Sequence, residues 1–159
     1  MNQKRIANVL KICSVAAAMV GLLFFLWYIP LIIKELANDI PEASWLRWPG
    51  TIGMWVIGLL CYLALWKFWQ ICTNIGADNS FCAANARSMK HIGLLAFLAA
   101  ALILGGCIFL CCIEYFGAPI ALPAFLAISA TLGVGILSIA LSGLIQNAAR
   151  LKEENDLTI

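Results

Sequence analysis

Hydrophobic residues fill four long stretches of this chain, and polar residues are gathered in the short segments between them. The stretches cover residues 12–33, 51–75, 92–113 and 120–146. At 1.5 Å per helical residue, each covers about 33 Å or more, enough to cross a bilayer's hydrocarbon core. Because backbone groups inside lipid must pair within their own segment, each stretch is predicted to be a membrane-spanning α-helix.

Few charges interrupt this pattern. Hydrophobic residues make up 64% of the 159 residues and charged residues only 11%, against about 25% charged in a typical soluble domain. A bilayer requires the apolar outer surface that such a composition gives. We therefore predict an all-α integral membrane four-helix bundle, forming one domain, with residues 147–159 as a cytoplasmic tail. The net charge of +2 gives no sign of direct nucleic-acid binding.

Lysine and arginine set the expected orientation, because they are enriched on the cytoplasmic side of membranes. They dominate three polar segments, at Lys4, Arg5 and Lys11, at Arg87 and Lys90, and at Arg150 and Lys152. With four spans these segments fall on one side, so we expect both termini and the loop between the second and third spans in the cytoplasm. Lys67 interrupts the second span, and its side chain is expected to reach back to the lipid headgroups.

Tryptophan and tyrosine are gathered near both predicted membrane surfaces, where their amphipathic rings are favoured. The set expected on the outer side is Trp27, Tyr28, Trp45, Trp48, Trp55 and Tyr115. Trp66 and Trp69 are expected on the inner side. We interpret both sets as membrane anchors.

The last two spans carry small or hydroxyl side chains at helical spacing. These are Gly93, Ala96, Ala100, Ala101 and Gly105 in the third span and Ala127, Thr131, Gly135, Ser138 and Ser142 in the fourth. Small residues let membrane helices approach closely, so we expect the two faces to pack together. The alternative is a polar path along the hydroxyls of the fourth span, as in a small transporter or a lipid- or small-molecule-binding protein.

Candidate catalytic chemistry is sparse. The seven cysteines lack paired Cys-x-x-Cys spacing, and Cys107 and Cys111 lie on consecutive turns, too far apart for an easy disulfide. A membrane thiol-redox protein stays an alternative. The single histidine, His91, does not make a typical zinc site or a bis-histidine haem site, and Glu114 is expected at a solvated helix end. We predict no enzyme, no cofactor and no metal.

Two segments resemble a bacterial membrane-protein family. One is FCAANARSMKHIG at residues 81–93, between the second and third spans, and the other is the acidic end LKEENDLTI at residues 151–159. With the length and the number of spans, they are similar to domain of unknown function 2975. The family pattern has Ser and then Glu where this chain has Cys82 and Ala84, so that acidic group is absent here.

The resemblance implies a protein of the bacterial inner membrane with four spans and no known catalysis. Members of the family are often encoded beside a small Cro/CI-like helix-turn-helix regulator, which implies a membrane protein that binds or restrains a transcription factor. An acidic tail would be repelled by anionic lipid and could occupy the regulator's basic DNA-reading face. The residues expected to contact this partner are Asn85, Arg87, Lys90, Glu153, Glu154, Asn155 and Asp156. Membrane lipids and further copies of the chain are the other partners considered.

Overall fold

Residues 3–39, 41–77 and 79–156 are described by the computed structural model, and within them the chain is helical almost throughout. Four segments are long and apolar enough to cross a membrane: Gln3–Asn38, Ser44–Gly76, Ala83–Cys112 and Ala118–Asn155. The prediction of an all-α chain with four such helices is confirmed. Each segment is longer than the apolar stretch inside it, because the helix continues through flanking polar residues.

The described residues form seven helical elements. In chain order these are α1 (Gln3–Leu23), a π-helix (Phe24–Tyr28), α2 (Ile29–Asp39), a 3₁₀ helix (Pro41–Leu46), α3 (Arg47–Gly76), α4 (Ala83–Cys112) and α5 (Ala118–Asp156). The first three elements follow one another without a break and together make the first membrane-length segment.

The long helices lie side by side in the order α1, α3, α4, α5, and each packs on its neighbours in that row. Among the described helical elements, α5 contacts α4 alone, and α1 contacts α3 but neither α4 nor α5. The expected four-helix bundle is therefore an open row rather than a closed bundle. In lipid this costs little, since an apolar helix face without a protein neighbour meets hydrocarbon instead of water.

The helices of the row end at two opposite surfaces, one at each end of the helix axes. We call these the loop end and the hairpin end. The loop end holds the start of α1, the connection between Gly76 and Ala83, and the last turns of α5. There the Ser80 hydroxyl donates to the side-chain oxygen of Gln3 at 3.2 Å, which ties the connection to α1. The hairpin end holds the 3₁₀ helix and residues 113–117, between α4 and α5. Both ends of the described chain therefore lie on one side of the row.

The π-helix is explained by Pro30. The Ile29 N–H donates to the Phe24 carbonyl, five residues back. In the same register the next N–H would reach the Phe25 carbonyl, but that position is Pro30, which has no N–H. The Phe25 carbonyl accepts instead from the indole N–H of Trp55 on α3, at 3.0 Å. A proline inside a membrane-length helix is thus accommodated by a neighbouring helix, as lipid requires.

Close approach of α4 and α5 depends on two buried glycines. A Cβ at Gly93 would lie 2.7 Å from Cγ1 of Ile139 and 3.1 Å from the carbonyl oxygen of Gly135. A Cβ at Gly135 would lie 3.1 Å from the Phe97 ring. The predicted packing of the two small-residue faces is confirmed here, because only a residue without a side chain leaves room for the facing helix.

The rest of the predicted faces divides into three groups. Ala96, Ala127 and Thr131 are half-buried. Ala100, Ser138 and Ser142 are buried with the two glycines. Ala101 and Gly105 are exposed, and a Cβ at Gly105 would meet nothing within 4 Å. The prediction was wrong for these two residues, because a rotation of 100° per residue carries them about 80° and 120° away from the direction of Gly93.

At the hairpin end, α4 closes with a Schellman motif around Glu114. The Tyr115 N–H donates to the Leu110 carbonyl at 3.0 Å, and the Glu114 N–H donates to the Cys111 carbonyl at 3.1 Å. Glu114 has a φ of 63°, the left-handed conformation that glycine adopts most easily. The exposed Glu114 therefore ends α4 through its backbone and lets the chain turn into α5.

Candidate docking site at the loop end

Two asparagine side chains organise the connection at the loop end. The side-chain N–H of Asn74 on α3 donates to Oδ1 of Asn85 on α4 at 2.7 Å. The Asn85 amide in turn donates to the Ser80 carbonyl at 2.9 Å and to the Asn79 carbonyl at 3.4 Å. The Asn79 N–H donates back to the Asn74 carbonyl at 3.0 Å. This closed ring of hydrogen bonds joins the end of α3, the connection and the start of α4.

Asn85 serves this ring rather than a partner. Its side chain is 0% exposed and offers no surface to a second protein. Asn85 therefore has a structural role here, and the predicted contact with a partner does not fit its position. The N-cap residue of α4, Cys82, makes no side-chain capping bond. Asn85 lies within the first turn of α4, and its side-chain hydrogen bonds hold the start of the helix in place. In other helices a polar N-cap residue has this role.

Arg87 and Lys90 are exposed on the first turns of α4. Their neighbours Ala86 and Ser88 are buried, because this helix is amphipathic where it leaves the loop. The Ser142 hydroxyl of α5 donates to the Ala86 carbonyl at 2.7 Å, which fixes α5 against α4 at this level. Both cations therefore lie on the exposed face of α4, and the opposite face of the helix is held by its contact with α5.

The last turns of α5 extend past the start of α4. From Ser142 the helix continues to Asp156, about 21 Å further along its axis at 1.5 Å per residue. α4, the helix that α5 contacts, begins at Ala83. Glu153, Glu154 and Asn155 are exposed on this extension. The side chain of Asp156 lies outside the described part of the structure.

An ion pair between Arg150 and Glu154 lies on this extension. Nε of Arg150 lies 3.7 Å from Oε1 of Glu154, one turn apart, with side chains 80% and 65% exposed. Such exposed pairs contribute little to stability, and both side chains keep most of their surface exposed. The extension is thus a helix whose charged groups face solvent.

The basic and acidic groups of the predicted site are not brought together. The hydrogen bond between Ser142 and Ala86 sets the register of the two antiparallel helices. From that level Arg87 lies toward the hairpin end and Glu153 lies in the opposite direction, about 18 Å away along the axes. The basic and the acidic residues therefore form two separate surfaces, and a partner that contacts one of them over a small area does not reach the other.

Two of the three hydroxyls on the alternative transport path are bonded to helix carbonyls. The Thr131 hydroxyl lies 2.7 Å from the Ala127 carbonyl and 3.0 Å from the Ile128 carbonyl, and the Ser142 hydroxyl bonds to α4. Ser138 is buried between α4 and α5. The hydroxyl donors of Thr131 and Ser142 are therefore occupied by backbone carbonyls, of α5 itself and of α4 respectively.

The cysteines do not gather into a reactive site. All seven are free thiols. Cys72 is buried, whereas Cys111 and Cys112 are exposed on α4. Within residues 3–39, 41–77 and 79–156, no group of three or more His, Cys, Asp or Glu side chains is placed to hold a metal ion.

A groove between α3 and α4 was missed by the sequence reasoning. It has a volume of about 300 Å³ and is lined by Leu63, Trp66, Lys67, His91, Leu94, Leu95 and Leu98. The Lys67 ammonium donates to the side-chain oxygen of Gln70 at 3.4 Å, one turn nearer the loop end, in the direction expected for it. The i, i+3, i+4 spacing of the lining residues on each helix was visible in the sequence, but their facing each other was not.

Four apolar helices of membrane length, few charges and many exposed large apolar side chains define a multi-pass integral membrane protein. Residues 31–159 match the family described as protein of unknown function DUF2975, so the chain belongs to this family and the resemblance seen in the sequence is confirmed. It is similar to the uncharacterized membrane protein YoaS of Bacillus subtilis (strain 168), with 24% identity over 152 residues that cover 94% of this chain and 95% of that protein. No solved structure matches the chain.

Proposed function

We propose that this chain is a noncatalytic inner-membrane protein whose loop end docks a small helix-turn-helix transcription regulator. In this arrangement both termini and the connection between Gly76 and Ala83 face the cytoplasm, in agreement with the distribution of lysine and arginine. A regulator held there is kept away from DNA until it is released.

The observation that carries the proposal is the helical extension of α5. It holds Glu153 and Glu154 exposed and beyond the start of α4. Because the extension is already helical, a partner that binds it does not have to supply the free energy of ordering a flexible tail. The acidic groups are also carried about 16 Å beyond Ser142, away from anionic headgroups that would repel them.

The chemistry of the partner follows from these charges. The DNA-reading face of a small regulator carries lysine and arginine that neutralise phosphates. Carboxylates on a rigid helix compete for the same cations, and this competition weakens as salt screens it. Arg87 and Lys90 lie on the other surface, where anionic lipid is their natural counterpart.

The test uses the full chain in detergent, immobilised, and the product of the adjacent open reading frame, which the proposal requires to be a small helix-turn-helix regulator. Wild type is expected to retain the regulator, and the double variant Glu153→Gln with Glu154→Gln is expected to bind about three- to tenfold more weakly. Lys152→Gln is the matched control, since it changes a neighbouring charge of opposite sign and should not weaken binding.

Two further outcomes decide the proposal. Operator DNA added in excess should release the regulator, because both ligands occupy the same basic face. Failure of the wild type to retain the regulator, or equal binding by the double variant, would overturn the proposal.

A further inference from the structure

The groove between α3 and α4 changes character along its length. Because the two helices are antiparallel, Lys67 and His91 lie at the end of the groove nearer the loop end, and Leu63 and Leu98 lie toward the other end. The end nearer the loop end therefore carries an ammonium and an imidazole group beside the Trp66 indole, and the remainder is lined by leucines. A cationic end joined to an apolar channel is the shape and polarity of an anionic amphiphile.

Among the described residues that line this groove, none is an acidic counterpart to the charge of Lys67. The lining contains no Asp or Glu, and the ammonium group's described hydrogen bond goes to the neutral amide of Gln70. Lys67 is also half-buried. A cation in apolar surroundings is stabilised by an anionic partner, and the groove leaves room for one beside it.

The other side of α3 shows that this level is suited to lipid headgroups. There the ammonium of Lys11 lies 5.3 Å from the centroid of the Trp69 ring. Lys67 and Trp69 are two residues apart, so cations and indoles from α1 and α3 occur at one height. Basic side chains mixed with tryptophan are typical of the membrane–water interface.

We propose that this groove binds one anionic phospholipid, with the phosphate on Lys67 and His91 and an acyl chain along Leu94, Leu95 and Leu98. The open row of helices exposes the groove to the bilayer, so the lipid enters sideways from its own leaflet. The site is separate from the extension of α5, and it does not depend on a regulator.

The test measures binding of phosphatidylglycerol and phosphatidylcholine to the detergent-solubilised full chain by native mass spectrometry. Wild type is expected to prefer phosphatidylglycerol. Lys67→Met keeps most of the side chain's length without its charge and should lower this preference about fivefold, the effect of one cation near a lipid phosphate. Lys67→Arg should retain the preference, and Lys152→Met, on the distant end of α5, should leave it unchanged.

A second variant tests the apolar part of the groove without changing charge. Leu98→Trp adds volume where the acyl chain would lie and should weaken binding of both lipids. An unchanged preference in Lys67→Met, or an equal loss in Lys152→Met, overturns the proposal. Binding of inorganic phosphate alone that is as tight as that of phosphatidylglycerol, and unaffected by Leu98→Trp, also overturns it, because the site would then recognise only a free anion.

Discussion

The indole N–H of Trp55 donates to the Phe25 carbonyl at 3.0 Å, and this carbonyl is the one that Pro30 leaves without a backbone donor. Trp55→Phe removes the donor and keeps an aromatic ring. A carbonyl without a partner in apolar surroundings costs about 1–3 kcal/mol, so we expect the free energy of unfolding in mixed micelles to fall by about that amount. Trp66→Phe is the control, since Trp66 is exposed and should have a smaller effect.

Coupling between Trp55 and Pro30 gives a sharper version of the same test. Pro30→Ala supplies the missing N–H and lets α-helical hydrogen bonding continue through the π-helix. In that background Trp55→Phe should cost clearly less than in the wild type. Additive effects in the double-mutant cycle would show that Trp55 does not compensate for the proline.

Asn85→Ala should be among the most destabilising single changes at the loop end. It leaves the Asn74 amide and the Ser80 carbonyl without their partners, and the expected loss is about 2–4 kcal/mol in the free energy of unfolding. Asn155→Ala removes the same group from an exposed position and should change stability by less than about 0.5 kcal/mol. Equal effects at the two positions would contradict the structural role of Asn85.

Gly93→Ala and Gly105→Ala form a matched pair on α4. At Gly93 the added methyl meets Ile139 and the Gly135 carbonyl, so we expect a loss of about 1–3 kcal/mol. At Gly105 nothing lies within reach of the methyl, and alanine should be neutral or stabilising by up to about 1 kcal/mol. The midpoints of thermal unfolding in one detergent measure the difference, and a loss at Gly105 would disprove the assigned face.

Glu114→Gly should stabilise the hairpin end. Glycine adopts the left-handed conformation at the end of α4 without the cost that an L side chain carries, a gain of up to about 1 kcal/mol. Glu114→Ala keeps the strain and serves as the control. An alanine variant as stable as the glycine variant would show that the carboxylate, rather than the backbone, determines the cost.

The helices and part of their packing could be predicted from the sequence, because length, apolarity and the spacing of Gly93 and Gly135 are local properties. The burial of Asn85 could not, because it depends on Ser80 and Asn74 folding around it. The shared groove of Lys67 and His91 could not be predicted either, because the two residues lie on different helices and line one groove only when α3 and α4 adopt their register. The arrangement of the helices as an open row is likewise determined by side-chain contacts between helices, and the periodicity along one helix does not predict it.

The row has a consequence for biogenesis. Each membrane-length helix packs against the membrane-length helices next to it in the sequence. Most of the contacts that hold the fold therefore join parts of the chain that are synthesised shortly after one another. Local pairing of this kind favours rapid assembly. Each new segment can dock onto its predecessor as soon as it leaves the translocon, and the last one, α5, needs only α4 to be in place.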